Sequence, residues 1–143
     1  MVRFSLLALP AAALALASCT QVETVDVPDS LSGERRVVAE RVADLQEAAR
    51  GREGEEICRD LLTAGAVKRI ERASGKDCAE AVEDALSDAD AFEVSVQRVA
   101  VRGASATVTV RSEAGDQSRV DTLELEKVGR EWRFASVGGR PRP

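Results

Sequence analysis

The stretch FEVSVQRVAVRGASATVTV, residues 92–110, decides the fold class. Its apolar residues recur at every second position, first as Phe92, Val94 and Val96 and then, one step out of phase, as Val99 and Val101. A period of two is typical of a β-strand with one buried face, and a change of phase within a strand indicates a β-bulge, here near Gln97–Arg98. RGAS, residues 102–105, predicts a turn into a second strand with alternating Ala106, Val108 and Val110.

The same pattern continues to the end of the domain. SEAGDQS, residues 112–118, predicts a second turn, and VGRE, residues 128–131, predicts a third. Between and after these turns lie further apolar strand residues: Val120, Leu123, Leu125, Trp132 and Phe134. We therefore expect a meander of three or four antiparallel strands with one apolar face, which helices must cover.

The residues before Phe92 have a helical period instead. In SGERRVVAERVADLQEAARG, residues 32–51, one stripe is apolar: Val38, Val42, Leu45 and Ala49. Ser32 is the predicted N-cap of this helix and Gly51 its predicted stop. Shorter helices follow, with a break at Gly65, a stop at Gly75 and an N-cap at Asp77, and their apolar residues are Ile57, Leu61, Leu62, Val67, Ile70, Ala81, Val82 and Leu86. Helices followed by a meander predict a two-layer α+β domain.

The first residues, MVRFSLLALPAAALALASC, have the parts of a secretory signal peptide: Arg3, an apolar run to Leu16, and small residues before Cys19. The run is shorter than the roughly 20 residues that span a bilayer. Leu16-Ala17-Ser18-Cys19 resembles the lipobox of bacterial lipoproteins, in which the cysteine is acylated and becomes the first mature residue. We therefore expect a signal peptide at 1–18, an acylated Cys19 with a tether at 19–31, a domain at 32–139 and a tail at 140–143. A short strand over residues 21–27 is the alternative to the tether.

Two cysteines remain for the folded domain. Cys58 and Cys78 each lie on the apolar side of a predicted helix, in a chain expected to be exported. Oxidising compartments favour a disulfide between them, and buried free thiols are the alternative. Two cysteines without any histidine cannot complete a tetrahedral metal site, and a catalytic cysteine would lack its base. We predict no metal, no cofactor and no catalytic residue.

Composition excludes other classes of function. The formal charge of −5 argues against a nucleic-acid partner, because phosphate backbones select basic surfaces. Aromatic residues make up only 3%, so valine, leucine and alanine must build most of the core. Arginine outnumbers lysine by 17 to 3, which is typical of a GC-rich bacterial genome.

Several segments resemble small bacterial lipoproteins with an NTF2-like (SnoaL/cystatin-like) domain. They are AARGREGEEICRDLLTAGAVKRIE, CAEAVEDAL, VRGASATVTV and the closing LELEKVGREWRFASVGG, and the resemblance covers about residues 34–139. It implies a curved sheet wrapped around helices with a cone-shaped pocket between them. Phe92, Trp132 and Phe134 are then candidates to line that pocket or contact a partner, with core packing as the simpler role of Trp132.

Enzymes with this fold place Asp, His or Tyr inside the cone, and this chain has neither His nor Tyr. We therefore expect a non-enzymatic binding or accessory domain at the extracytoplasmic face of the cell membrane. Its partners would be membrane lipid through Cys19 and a small apolar ligand or an envelope protein. The alternatives are a structural component that forms a homodimer and, less favoured, an isomerase or hydrolase that uses Glu93, Glu124 or Asp121.

Overall fold

The computed structural model describes residues 27–87, 93–114 and 116–136. In this part of the chain, four α-helices precede one four-stranded antiparallel sheet with the strand order β1-β2-β3-β4. The helices are α1 (Glu34–Arg50), α2 (Gly54–Glu56), which continues as a π-helical segment (Ile57–Leu61), α3 (Ala64–Ser74) and α4 (Cys78–Ser87). The strands are β1 (Glu93–Arg102), β2 (Ser105–Ala114), β3 (Gln117–Val128) and β4 (Glu131–Ser136). The predicted α+β class, with helices packed on a curved antiparallel sheet, is confirmed.

The predicted bulge in β1 is also confirmed. The pairing of β1 with β2 shifts by one residue between Val96 and Arg98, which leaves Gln97 without a partner. On either side of this shift, Val96 lies opposite Val110 and Val99 opposite Val108, and all four side chains are buried. The extra residue therefore keeps both halves of β1 facing the helices, as the change of phase in the sequence required.

The core lies between the helices and one face of the sheet. Its largest fully buried side chains are Trp132, Phe134, Leu125, Val38 and Val108. Val120 does not belong to this face: it lies opposite Arg111 and is 38% exposed, whereas Asp121 lies opposite the buried Val110. The register of β3 on β2 decides this, because it places Asp121, Leu123 and Leu125 on the helix-facing side.

The ends of α1 differ from the prediction at one residue. The N-cap is Gly33, not Ser32, and Gly33 has a φ of 58°, which glycine adopts without steric cost. Gly51 caps the other end as predicted, but the left-handed residue there is Arg52, with a φ of 54°. The amides of Arg52 and Glu53 donate to the carbonyls of Ala49 and Ala48, which closes the helix as a Schellman motif.

The break before α3 lies at Leu62–Thr63 and not at Gly65, which belongs to the first turn of α3. Thr63 is the N-cap, and its Oγ1 accepts a hydrogen bond from the Ala66 amide at 3.2 Å. The predicted stop at Gly75 is confirmed by its left-handed φ of 69°. The predicted cap at Asp77 is confirmed too, since its carboxylate accepts from the Ala79 amide at 3.2 Å.

The outer edge of β4 is closed by other parts of the chain. The Thr63 amide donates to the Phe134 carbonyl at 3.0 Å, and Arg41 Nε donates to the Trp132 carbonyl at 3.0 Å. Arg69 Nη2 donates to the Ala135 carbonyl. Bonded carbonyls on an edge strand cannot pair with a strand of another molecule, so this edge is protected against edge-to-edge association.

Candidate functional site

The turns that follow β1 and β3 have two residues each, and both lie near the start of α1. The Lys127 amide donates to the Ala104 carbonyl at 2.8 Å, which joins the β1–β2 turn to β3. Glu34, the first residue of α1, bonds to Lys127 and Trp132 at the other turn. We call this end of the domain, formed by residues 27–36, 102–105 and 127–131, the proximal end.

The contacts of Glu34 hold the proximal end together. Glu34 Oε2 accepts from Trp132 Nε1 at 2.7 Å, and Glu34 Oε1 accepts from Lys127 Nζ at 2.6 Å. These hydrogen bonds, that of Lys127 first, lower the pKa of the Glu34 carboxyl below its ordinary value. Lys127 Nζ also lies 5.6 Å from the centroid of the Trp132 ring. The cluster therefore fastens the start of α1 to the sheet.

A cavity of about 230 Å³ lies next to the β1–β2 turn, on the sheet face that points away from the helices. Its lining residues come from the two strands that flank the first turn: Ala100, Arg102, Ser105, Ala106 and Thr107. We call it the outer recess. Arg102 lies opposite Ser105 and Ala100 opposite Thr107, so these four side chains share one face. The small side chain of Ala100 leaves the space that the recess occupies.

The next strand adds acceptors to the border of the outer recess. Glu124 lies opposite Thr107, and Glu126 lies opposite Ser105, both on the same sheet face. Glu124 Oε2 accepts from Ser136 Oγ at 3.2 Å, and the side chain of Arg102 makes no hydrogen bond or ion pair with another described residue. The outer recess therefore offers a guanidinium donor, two hydroxyls and neighbouring carboxylates to a small ligand.

The acids singled out from the sequence do not converge. Asp121 lies on the helix-facing side with its side chain 15% exposed, and it pairs with Arg119 at 2.8 Å. Glu93 and Glu124 lie on the other face, where Glu93 is opposite Glu113. An acid–base pair needs both groups within reach of one reacting atom, and these three carboxylates are divided between two faces.

The aromatic candidates have different outcomes. Trp132 and Phe134 are 1% and 0% exposed, so both are core residues and not the lining of an open pocket. Phe92 and Cys19 lie outside the described residues. Among the helices of the described part, none is long and apolar enough to cross a membrane.

Cys58 and Cys78 lie at disulfide-bonding distance, with their Cα atoms 6.2 Å apart. The bridge joins the π-helical segment to the first residue of α4. Gly54 packs against the same helix so closely that a Cβ there would lie 2.5 Å from the Ala79 carbonyl oxygen. The two helices are therefore in contact at the backbone as well as through the sulfur atoms.

Sequence reasoning treated residues 102–105 as a turn and missed the outer recess. The sequence does indicate that these residues share a face, because Ala100, Arg102, Ser105 and Thr107 alternate with the apolar residues that face the helices. Only the register of β1 on β2 shows that these four residues are cross-strand neighbours.

A family model described as "Putative lumazine-binding" matches residues 58–137, more than half of the chain, and supports the predicted NTF2-like domain. No curated protein matches the chain significantly. Among solved structures, a SEC-C-motif-containing protein from Rhodopseudomonas palustris shares 18% identity at a TM-score of 0.51, over 67% of this chain and 73% of that one. A de novo designed NTF2-fold protein shares 18% identity at a TM-score of 0.44, over 71% and 81% of the two chains.

Proposed function

The chain belongs to the family described as "Putative lumazine-binding", and from this membership we propose that it is a non-enzymatic binding domain for a small polar heterocycle of the lumazine class. The ligand is held in the outer recess, and the domain is attached to the extracytoplasmic face of the cell membrane through acylated Cys19.

The observation that carries the binding role is the chemistry of the outer recess. A lumazine ring system presents carbonyl acceptors and ring nitrogen atoms at its edge and has an apolar face. Arg102 supplies donors for the carbonyl groups, and the hydroxyls of Ser105 and Thr107 can donate or accept. The small side chain of Ala100, on the same sheet face, leaves room for a flat ring, whereas Ala106 borders the outer recess while its side chain packs in the core. One guanidinium and two hydroxyls in an otherwise apolar lining fit a flat ring that carries polar atoms at its edge, whereas the sequence led us to expect a small apolar ligand or an envelope protein.

The size of the outer recess restricts the ligand further. Pockets for drug-sized molecules commonly have volumes of about 300 to 1,000 Å³. The outer recess, at about 230 Å³, is smaller and suits one compact bicyclic molecule. Binding without chemistry is the simplest role, because the chain has no histidine and its candidate carboxylates lie on two faces of the sheet.

We expect lumazine to bind the mature domain saturably and Arg102→Ala to weaken that binding by roughly tenfold to a hundredfold. A hydrogen bond to a charged group contributes about 1.5–3 kcal/mol, and about 1.4 kcal/mol corresponds to a factor of ten in Kd. Ligand fluorescence in an equilibrium titration measures the effect. Arg72→Ala, which removes the same charge from α3, is the matched control and should leave Kd unchanged. Absence of saturation, or equal losses in the two variants, would contradict the role of the outer recess.

The anchor is supported by two features of the chain. Leu16-Ala17-Ser18-Cys19 has the lipobox pattern after an apolar run, and Cys58 and Cys78 lie at disulfide distance. Disulfides persist outside the cytoplasm, so the paired cysteines fit an exported domain. A single acyl chain binds a membrane reversibly, whereas two or more chains hold a protein there durably.

Radiolabelled palmitate should be incorporated into the wild-type protein in a bacterial host and not into Cys19→Ala. Cys58→Ala, which removes a different cysteine, should still incorporate the label. Gel autoradiography of the immunoprecipitated proteins measures this. Label retained by Cys19→Ala, or absent from the wild type, would exclude Cys19 as the acylated residue.

A further inference from the structure

The contacts of residues 27–36 show at which end of the domain the N-terminal part of the chain joins it. Val27, Leu31 and Gly33 lead directly into α1, whose first residue, Glu34, bonds to the sheet at the β3–β4 turn. Val27 and Leu31 also pack against the core. The chain from Cys19 therefore reaches the domain at its proximal end.

The distance that this connection can span is short. Seven residues lie between Cys19 and Val27, so eight Cα–Cα steps join them. An extended chain spans at most about 3.5 Å per step, or about 28 Å here. β3 has 12 residues and, at about 3.4 Å per residue, it is about 40 Å long. A domain attached at Cys19 therefore cannot place its opposite end at the membrane as readily as its proximal end.

The charges at the two ends differ as well. The three segments of the proximal end contain five basic residues and three acidic ones, and Glu126 opposite Ser105 adds a fourth acid at their border, in a chain with a net charge of −5. The opposite turn, residues 111–119, has two of each. Arg35, Arg102 and Arg130 are exposed and make no ion pair with another described residue. Because helical side chains point toward the helix start, Arg35 extends toward the same end as the two turns.

We propose, on the premise of the acylated Cys19, that the proximal end faces an anionic lipid surface, with Arg35, Arg102 and Arg130 against the headgroups. Unpaired arginines beside a negatively charged leaflet are attracted to it, and the attraction decreases with added salt. Arg102 also lines the outer recess. The outer recess, which lies on the sheet face that points away from the helices, therefore borders the lipid-facing end.

The orientation is tested on vesicles without relying on acylation. Residues 20–143 are attached through an N-terminal histidine tag to nickel-chelating vesicles that contain phosphatidylglycerol. A fluorophore is placed on Ala104→Cys at the proximal end or on Ser118→Cys at the opposite end, and a headgroup-labelled lipid quenches it. We expect at least twofold stronger quenching at position 104. Equal quenching, or stronger quenching at position 118, would overturn the orientation whether or not Cys19 is acylated in the cell.

The role of the arginines is tested on the same vesicles. We call the difference in quenching between positions 104 and 118 the excess. The triple variant Arg35→Ser/Arg102→Ser/Arg130→Ser should show a smaller excess than the protein with its native arginines. Neutral phosphatidylcholine vesicles should likewise lower the excess of the protein with its native arginines. The control is Lys68→Ser/Arg72→Ser, which removes two exposed positive charges from α3 and should leave the excess unchanged. An excess that is the same in the triple variant and on neutral vesicles would overturn the contact with anionic headgroups.

Discussion

Cys58→Ala/Cys78→Ala is expected to lower the free energy of unfolding by about 3 kcal/mol, the amount that the loop-entropy relation gives for a bridge of this span. The two cysteines are 20 residues apart and connect the π-helical segment to α4. Without the bridge, the unfolded chain gains freedom that the native protein does not. Urea titration of the wild type and the double variant, followed by far-UV circular dichroism, measures the difference.

Reduction provides the control for this prediction. Dithiothreitol should shift the urea midpoint of the wild type toward that of the double variant and should leave the variant unchanged. Cys78 is 3% exposed, so full reduction is carried out on the unfolded chain before refolding. A wild type that has the same midpoint with and without reductant would show that the two cysteines are not bridged in solution.

Trp132→Ala is expected to lower the free energy of unfolding by about 3–5 kcal/mol, the usual cost of removing a large buried aromatic side chain. Trp132 is 1% exposed, and its indole N–H donates to Glu34. The variant therefore loses packing in the core and one contact between α1 and the sheet. Circular dichroism is the appropriate probe, because Trp132 is the only tryptophan of the chain.

Two further variants separate packing from hydrogen bonding at this position. Trp132→Phe keeps an aromatic ring but removes the indole N–H, so it should cost less than Trp132→Ala. Val128→Ala, at a side chain that is 50% exposed, should change the free energy by no more than about 0.5 kcal/mol. If Trp132→Ala were as stable as Val128→Ala, the assignment of Trp132 to the core would be wrong.

The fold was predictable where a single strand or helix contains the whole signal. The change of phase between Val96 and Val99 predicted the bulge at Gln97, since a strand that keeps one face buried must insert a residue there. Gly75 and Asp77 were likewise recognised, because a left-handed helix end and an acidic N-cap depend on one residue and its neighbours.

Other features depend on how distant segments meet, and these were missed. Gly33 replaces Ser32 as the N-cap of α1 where Glu34 bonds across to Lys127 and Trp132. Val120 is apolar and yet lies on the outer face, because the pairing of β3 with β2 gives the helix-facing position to Asp121. A one-residue choice of register cannot be read from β3 alone.

The outer recess was missed for the same reason. Nothing in the sequence sets Arg102 and Thr107 apart. Only the pairing of β1 with β2 places them on one sheet face with Ala100, where all three residues line the outer recess. The resemblance to NTF2-like domains directed attention to the space between helices and sheet, where Trp132, Phe134 and Leu125 are instead packed as core. A site on the outer face of the sheet could be recognised only once the strand pairing was known.

The most direct test of the binding role is an NMR titration of the isotope-labelled mature domain with lumazine. We expect the largest amide shifts at Ala100, Arg102, Ser105 and Thr107, which line the outer recess. Shifts concentrated instead at Ser112 and Asp121, on the helix-facing side of the sheet, would contradict the proposed site. No shift at any concentration of lumazine up to its solubility limit would contradict the proposed ligand class.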